Sequence, residues 1–133
     1  MHKILLIEPN PSIGKNLSSI LNQPKLSVHW AQDEEEIRSI LYCHEISLII
    51  IEPLMSLNAL RDDSRTIQNA EIGGVGLFLL NTIKKNRNKV KVLINSVVPK
   101  TNLLEAGFPK TCVYMLKTEP TEKFVEKINE LVN

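Results

Sequence analysis

A chain of 133 residues, 43% hydrophobic and 23% charged, is long enough to bury a core and too apolar for a disordered polymer. Sixteen basic side chains against fifteen acidic ones leave a formal charge of +1, so nothing in the charge balance favours nucleic acid or an anionic membrane as a partner. The apolar run near the amino terminus, residues 4–7, is too short for a signal-peptide core or a membrane span. Cys43 and Cys112 form no C-x-x-C pair and read as reduced, buried thiols of a cytoplasmic protein.

Residues 4–7 are continuously apolar, as a strand buried on both faces should be. Asn10-Pro11-Ser12 interrupts the run and opens a helix, in which Ile13, Leu17, Ile20 and Leu21 recur at helical spacing until Pro24. Leu26–Ala31 reads as a second, weaker strand. Asp33 is a good N-cap for the next helix, with Glu34, Glu35 and Glu36 near its positive end and Ile37, Ile40 and Leu41 as its buried stripe. Residues 46–51 form the most apolar strand, expected at the centre of a sheet and closed by Glu52 and Pro53. Residues 54–71 show no period and read as a long loop. Gly76 then opens a helix through Leu77, Leu80 and Ile83, and residues 90–94 give a fourth strand. Residues 102–106 suggest a short helix before Gly107, and Val113–Leu116 a fifth strand. Pro120 fits the first turn of a final helix whose apolar face is Phe124, Ile128, Leu131 and Val132.

Five strands alternating with helices predict an α/β fold, a doubly wound parallel sheet with right-handed crossovers and helices on both faces. A flavodoxin-like strand order 2-1-3-4-5 is the leading choice at this size. In such sheets the chemistry lies at the carboxyl ends of the strands, and Glu52 ends the most apolar of them.

Several segments together resemble the receiver domain of two-component response regulators over essentially the whole chain, 1–133. They are Lys3-Ile4-Leu5-Leu6-Ile7-Glu8-Pro9-Asn10-Pro11, Leu48-Ile49-Ile50-Ile51-Glu52, Val92-Leu93-Ile94-Asn95-Ser96, and Ala106-Gly107 followed by Tyr114-Met115-Leu116-Lys117. The resemblance implies a phosphorylation site at the strand ends. In the family, an acidic pair after the first strand helps hold Mg²⁺ and an Asp ending the third accepts a phosphoryl group from a partner's phosphohistidine. A Ser or Thr after the fourth and a Lys after the fifth contact the phosphoryl oxygens. By position Glu8 and Pro9 replace the acidic pair, Glu52 replaces the acceptor, Ser96 and Lys117 match the last two, and Tyr114 matches the aromatic residue linked to switching.

The departures carry the functional expectation. Pro9 removes a carboxylate from a cation that prefers hard oxygen ligands in near-octahedral geometry. Glutamate at 52 adds roughly 1.5 Å of reach in a site where in-line attack tolerates little misplacement. Without a well-held metal the developing phosphoryl charge loses its main stabiliser. Glu52, Glu8, Pro9, Ser96 and Lys117 are therefore expected to form a degenerate phosphorylation site, with Lys117 paired to Glu52 and Ser96 adding a hydrogen bond. Glu8 and Glu52 alone make a poor divalent-metal site, and neither a metal nor a cofactor is expected.

The remaining motifs are read as structural. Gly73-Gly74-Val75-Gly76 lacks the Lys-Ser/Thr ending of a phosphate loop and reads as the close of a flexible insert. Gly76 follows Glu52 by 24 positions, against about eight in receivers, so an insert at about 54–71 emerges beside the site. Lys84, Lys85, Arg87, Lys89 and Lys91 read as solvated cations near a helix's negative end. His2, His29 and His44 share no metal-ligand spacing and read as structural or exposed; Met55, Met115 and the scattered aromatics read as packing residues.

These readings converge on a stand-alone pseudo-receiver, a phosphorylation-independent protein–protein interaction module of prokaryotic signalling and not an enzyme. Its expected partner is a signalling protein: a histidine kinase, another regulator or an effector. The resemblance implies docking or homodimerisation through the family's fourth helix, fifth strand and fifth helix, here about 103–133. The alternative is a small enzyme or ligand sensor using the crevice around Glu8, Glu52, Ser96 and Lys117. A working phosphoreceiver with altered metal chemistry is the least favoured.

Overall fold

The computed structural model describes residues 1–53, 80, 81, 83, 85 and 90–133. The expected 54–71 insert, the Gly73–Gly76 stretch, Met55, Leu77, Lys84, Arg87 and Lys89 lie outside the described residues.

Strands β1 (His2–Ile7), β2 (Leu26–Ala31), β3 (Leu48–Ile51), β4 (Lys91–Ser96) and β5 (Val113–Leu116) form one parallel sheet in the order β2-β1-β3-β4-β5. The sheet is therefore the flavodoxin-like arrangement expected from the alternation. Helices α1 (Pro11–Ile20), α2 (Glu34–Cys43), α3 (Lys100–Glu105) and α4 (Thr121–Val132) connect and cover it. Leu80, Asn81, Ile83 and Lys85 are also helical.

Strand alternation divides the core into two layers. Leu5, Ile7, Ile49, Ile51, Val92 and Ile94 face one side, where they meet Ile37 of α2, Leu80, Ile83 and Leu103 of α3. Ile4, Leu6, Leu48, Ile50 and Leu93 face the other and meet Leu17 and Leu21 at α1 and Phe124 and Ile128 of α4. All four residues of β3 are at most 1% exposed, which accounts for the absence of polar alternation in its sequence. Burying each side chain of this size contributes about 1.5–3 kcal/mol, so β3 anchors the sheet.

Helix boundaries follow local chemistry. The Asn10 side chain accepts from the backbone N–H groups of Ser12 and Ile13 at 2.9 and 3.1 Å, with Pro11 at the first helical position. Asp33 caps α2 by accepting from Glu36 N–H at 2.9 Å. Pro120 is the N-cap of α4 and not a member of its first turn.

Some expectations need correction. β3 begins at Leu48, not 46: Ile46 is buried, but Ser47 N–H already bonds Lys3 O at 2.9 Å as the chain enters the sheet. β4 runs on through Asn95 and Ser96, which pair with Met115 and Leu116, and α3 starts two residues earlier than its apolar pattern suggested. Cys112 is buried, but Cys43 is exposed at the last residue of α2, and Tyr42 beside it is 90% exposed and does not pack.

Candidate functional site

Backbone hydrogen bonds that continue the sheet carry three side chains to one place. Glu8 N–H donates to Ala31 O at 3.1 Å, Glu52 N–H to Ile7 O at 3.0 Å, and Lys117 N–H to Ser96 O at 2.8 Å. Each residue directly follows its strand, so all three lie at the carboxyl edge of the sheet. Their side chains converge. The Lys117 ammonium pairs with Glu52 Oε2 and lies 2.8 Å from Glu8 Oε1.

Pairing of Lys117 with Glu52 was legible from position; its sharing with Glu8 was not. Both carboxylates are nearly enclosed, Glu8 at 2% and Glu52 at 7% exposure, and the lysine side chain is mostly covered. Burial is the largest single influence on Lys117 and pulls its pKa down. The hydrogen bonds from Glu52 and Glu8 and their charges together outweigh it and hold the pKa above 10.5. The ammonium therefore stays charged at neutral pH.

Glu8 is fixed from a second side. Its Oε2 accepts from Asn10 N–H at 3.1 Å while its backbone O accepts from the Trp30 indole N–H at 2.9 Å. The indole rests against Gly14 of α1, where a Cβ would come within 2.1–2.3 Å of the ring. Asn10, Gly14 and Trp30 are positioning residues that the sequence reading did not single out for the site. The run Glu8-Pro9-Asn10 was the available signal, since a helix N-cap two residues after a strand-end carboxylate brings an N–H within its reach.

Ser96 is 1% exposed, and its Oγ accepts from Val98 N–H at 2.9 Å. The hydrogen bond expected from the Ser96 hydroxyl to the Glu52 or Lys117 side chain does not occur among the described residues; the hydroxyl oxygen instead closes a turn after β4. Tyr114 is half-buried on β5, and its hydroxyl donates to Pro109 O at 2.5 Å, with the Lys100 ammonium 5.5 Å from the ring centre. Burial, reinforced by Cys112, pushes the Tyr114 phenol up to about 12. Pro9 offers only its backbone O here, which accepts from Gln32 Nε2 at 3.4 Å.

These residues do not fit a Mg²⁺ site. The two carboxylates close on an ammonium already within hydrogen-bond distance, Pro9 supplies no third acid, and no group of three or more metal-ligating side chains occurs among the described residues.

Among the described residues, two hollows flank the site. One of about 280 Å³, between α1 and α4, is lined by Ile13, Leu17, Asn95, Lys117 and Phe124. A larger groove of about 530 Å³ runs over β5 between α3 and α4, floored by Ile94, Leu103 and Tyr114 and rimmed by Lys100, Lys123 and Glu126.

The same architecture occurs in solved structures. A response regulator receiver domain protein from Clostridium thermocellum superimposes with a TM-score of 0.74 at 20% identity, covering 100% of this chain and 95% of that one. The Francisella response regulator 1452 receiver domain gives 0.73 at 16% identity, covering 99% and 97%. The response regulator TrrA of Thermotoga maritima, solved with Mg²⁺ and BeF, gives 0.71 at 18% identity, covering 98% and 99%. The fold is that of a receiver domain. No protein-family model and no curated protein sequence matches the chain. Among the described residues no helix of this receiver fold is long and apolar enough to cross a membrane.

Proposed function

We propose that this chain is a pseudo-receiver: a receiver domain that works as a phosphorylation-independent interaction module of signal transduction, without catalysis of its own. The observation that carries this reading is Lys117 held between Glu8 and Glu52 at the strand ends. In a receiver fold this is where a metal and a phosphoryl group would sit, and the ammonium already engages one oxygen of each carboxylate there. Pro9, standing where a metal-binding acid is expected, supports it further.

The proposed output is docking of a signalling protein, a histidine kinase, another regulator or an effector, or of a second copy, on the face formed by α3, β5 and α4. Its groove combines an apolar floor with a rim of both charge signs, the composition of a protein-binding surface. The test is affinity capture from the native cell with and without acetyl phosphate and Mg²⁺. A signalling protein captured equally under both conditions, and lost with Tyr114→Ala, supports the reading. Capture that requires acetyl phosphate contradicts it.

A further inference from the structure

Outside this site, on the α2 side of the sheet, two histidines meet face to face. His29 on β2 and His44 at the end of α2 stack with ring centres 4.0 Å apart and planes inclined by 28°. Lys3 of β1 reaches the same place, with Nζ 3.4 Å from His44 Nδ1, and Ser27 Oγ lies 3.3 Å from His29 Nε2. An ammonium can only donate, so the Lys3 contact requires Nδ1 of His44 to carry no proton. The groups facing the stack are Lys3 from β1, Ser27 from β2 and the imidazoles themselves. Neither ring is hydrogen-bonded or ion-paired to a carboxylate among the described residues, and Glu45, next in the chain, is exposed.

We infer that Lys3, His29 and His44 form an acid-sensitive clasp that fastens the carboxyl end of α2 to the sheet while the His29 ring is neutral and releases it when that ring protonates. Protonating His29 puts a cation against the His44 ring it stacks on and near the Lys3 ammonium, with no hydrogen-bonded or ion-paired carboxylate to offset it among the described residues. Burial, then the charges of His44 and Lys3, already hold the His29 pKa below 6.5. The sign follows. A base whose folded pKa is depressed takes up a proton more readily when its contacts open, so opening becomes easier as pH falls below 6.5 and the clasp is intact above it. The released part would be the α2 terminus, where His44 N–H bonds Ile40 O at 3.0 Å, and the connection to Ser47, whose N–H bonds Lys3 O at 2.9 Å.

The test is amide hydrogen exchange of the whole chain between about pH 7.5 and pH 5, corrected for intrinsic exchange. The His44 and Ser47 amides should open more readily on acidification, by up to about tenfold per pH unit for the one proton taken up by His29. The Leu21 amide, which bonds Leu17 O at 2.9 Å on the opposite layer, serves as the control and should not follow them. In His44→Gln the acid-dependent part should shrink. Equal pH dependence in wild type and variant, or equal response of Leu21, overturns the proposal. Ring proton titration of the wild type gives a second readout that does not depend on the variant folding: a His29 midpoint at or above 6.5 overturns it as well.

Discussion

Replacing Lys117 by methionine removes an ammonium that pairs with two enclosed carboxylates while keeping most of the apolar volume of the side chain. The gross attraction over the 2.8 Å contact to Glu8 is about 6 kcal/mol at an effective dielectric constant near 20. The net worth of the cluster is much smaller, because all three groups lose water. The cost of breaking it is nevertheless large, since two enclosed carboxylates lose the ammonium they share, and comparable losses run to about 3–5 kcal/mol. At about 2.1 cal/mol/K per residue, unfolding entropy for a chain of this length converts that loss into a Tm lower by about 11–18 °C. Differential scanning calorimetry at pH 7 measures it. Glu8→Gln should cost far less, because Lys117 keeps Glu52, and Lys117→Met combined with Glu8→Gln and Glu52→Gln should recover most of the loss. The pH dependence has a definite sign. The raised Lys117 pKa means its contribution is complete below 10.5 and is lost only as pH climbs through the higher folded value. A loss below about 1 kcal/mol in Lys117→Met would place the cluster among weakly coupled surface pairs and refute the reasoning.

Two further outcomes test the supporting shell. Gly14→Ala should destabilise the chain by about 1–3 kcal/mol and shift the emission of Trp30, the single tryptophan, because the new Cβ meets the indole at 2.1–2.3 Å. An ordinary helical glycine would instead gain stability from the same change, so the sign of the effect decides. Ultraviolet titration of the two tyrosines should show one phenol ionising near pH 12, and Tyr114→Phe should remove that step.

Much of the sheet was readable because parallel strands covered on both faces need continuous apolar runs, as residues 4–7 and 48–51 show. Asn95 and Ser96 extend β4 despite their polarity, since backbone pairing with Met115 and Leu116 sustains the strand there, and hydropathy cannot register that. The Glu52–Lys117 pair followed from strand-end positions, which sequence order determines in this topology. The sharing of Lys117 with Glu8 depends on side-chain directions, as does the turn that draws Ser96 to Val98, and neither has a sequence period. Cys43 and Tyr42 were expected inside because of their residue types. Helix phase sets them outside, since the buried stripe of α2 passes through Ile37, Ile40 and Leu41.

The central claim is that Lys117, Glu8 and Glu52 take the place of a phosphorylation switch. Intact-mass analysis of the chain after incubation with acetyl phosphate and Mg²⁺, repeated on Lys117→Met, tests it most directly. No phosphoryl group should be added to either protein, because Pro9 stands where a metal-binding acid is expected. Stoichiometric, Mg²⁺-dependent phosphorylation of the wild type at Glu52 would contradict it.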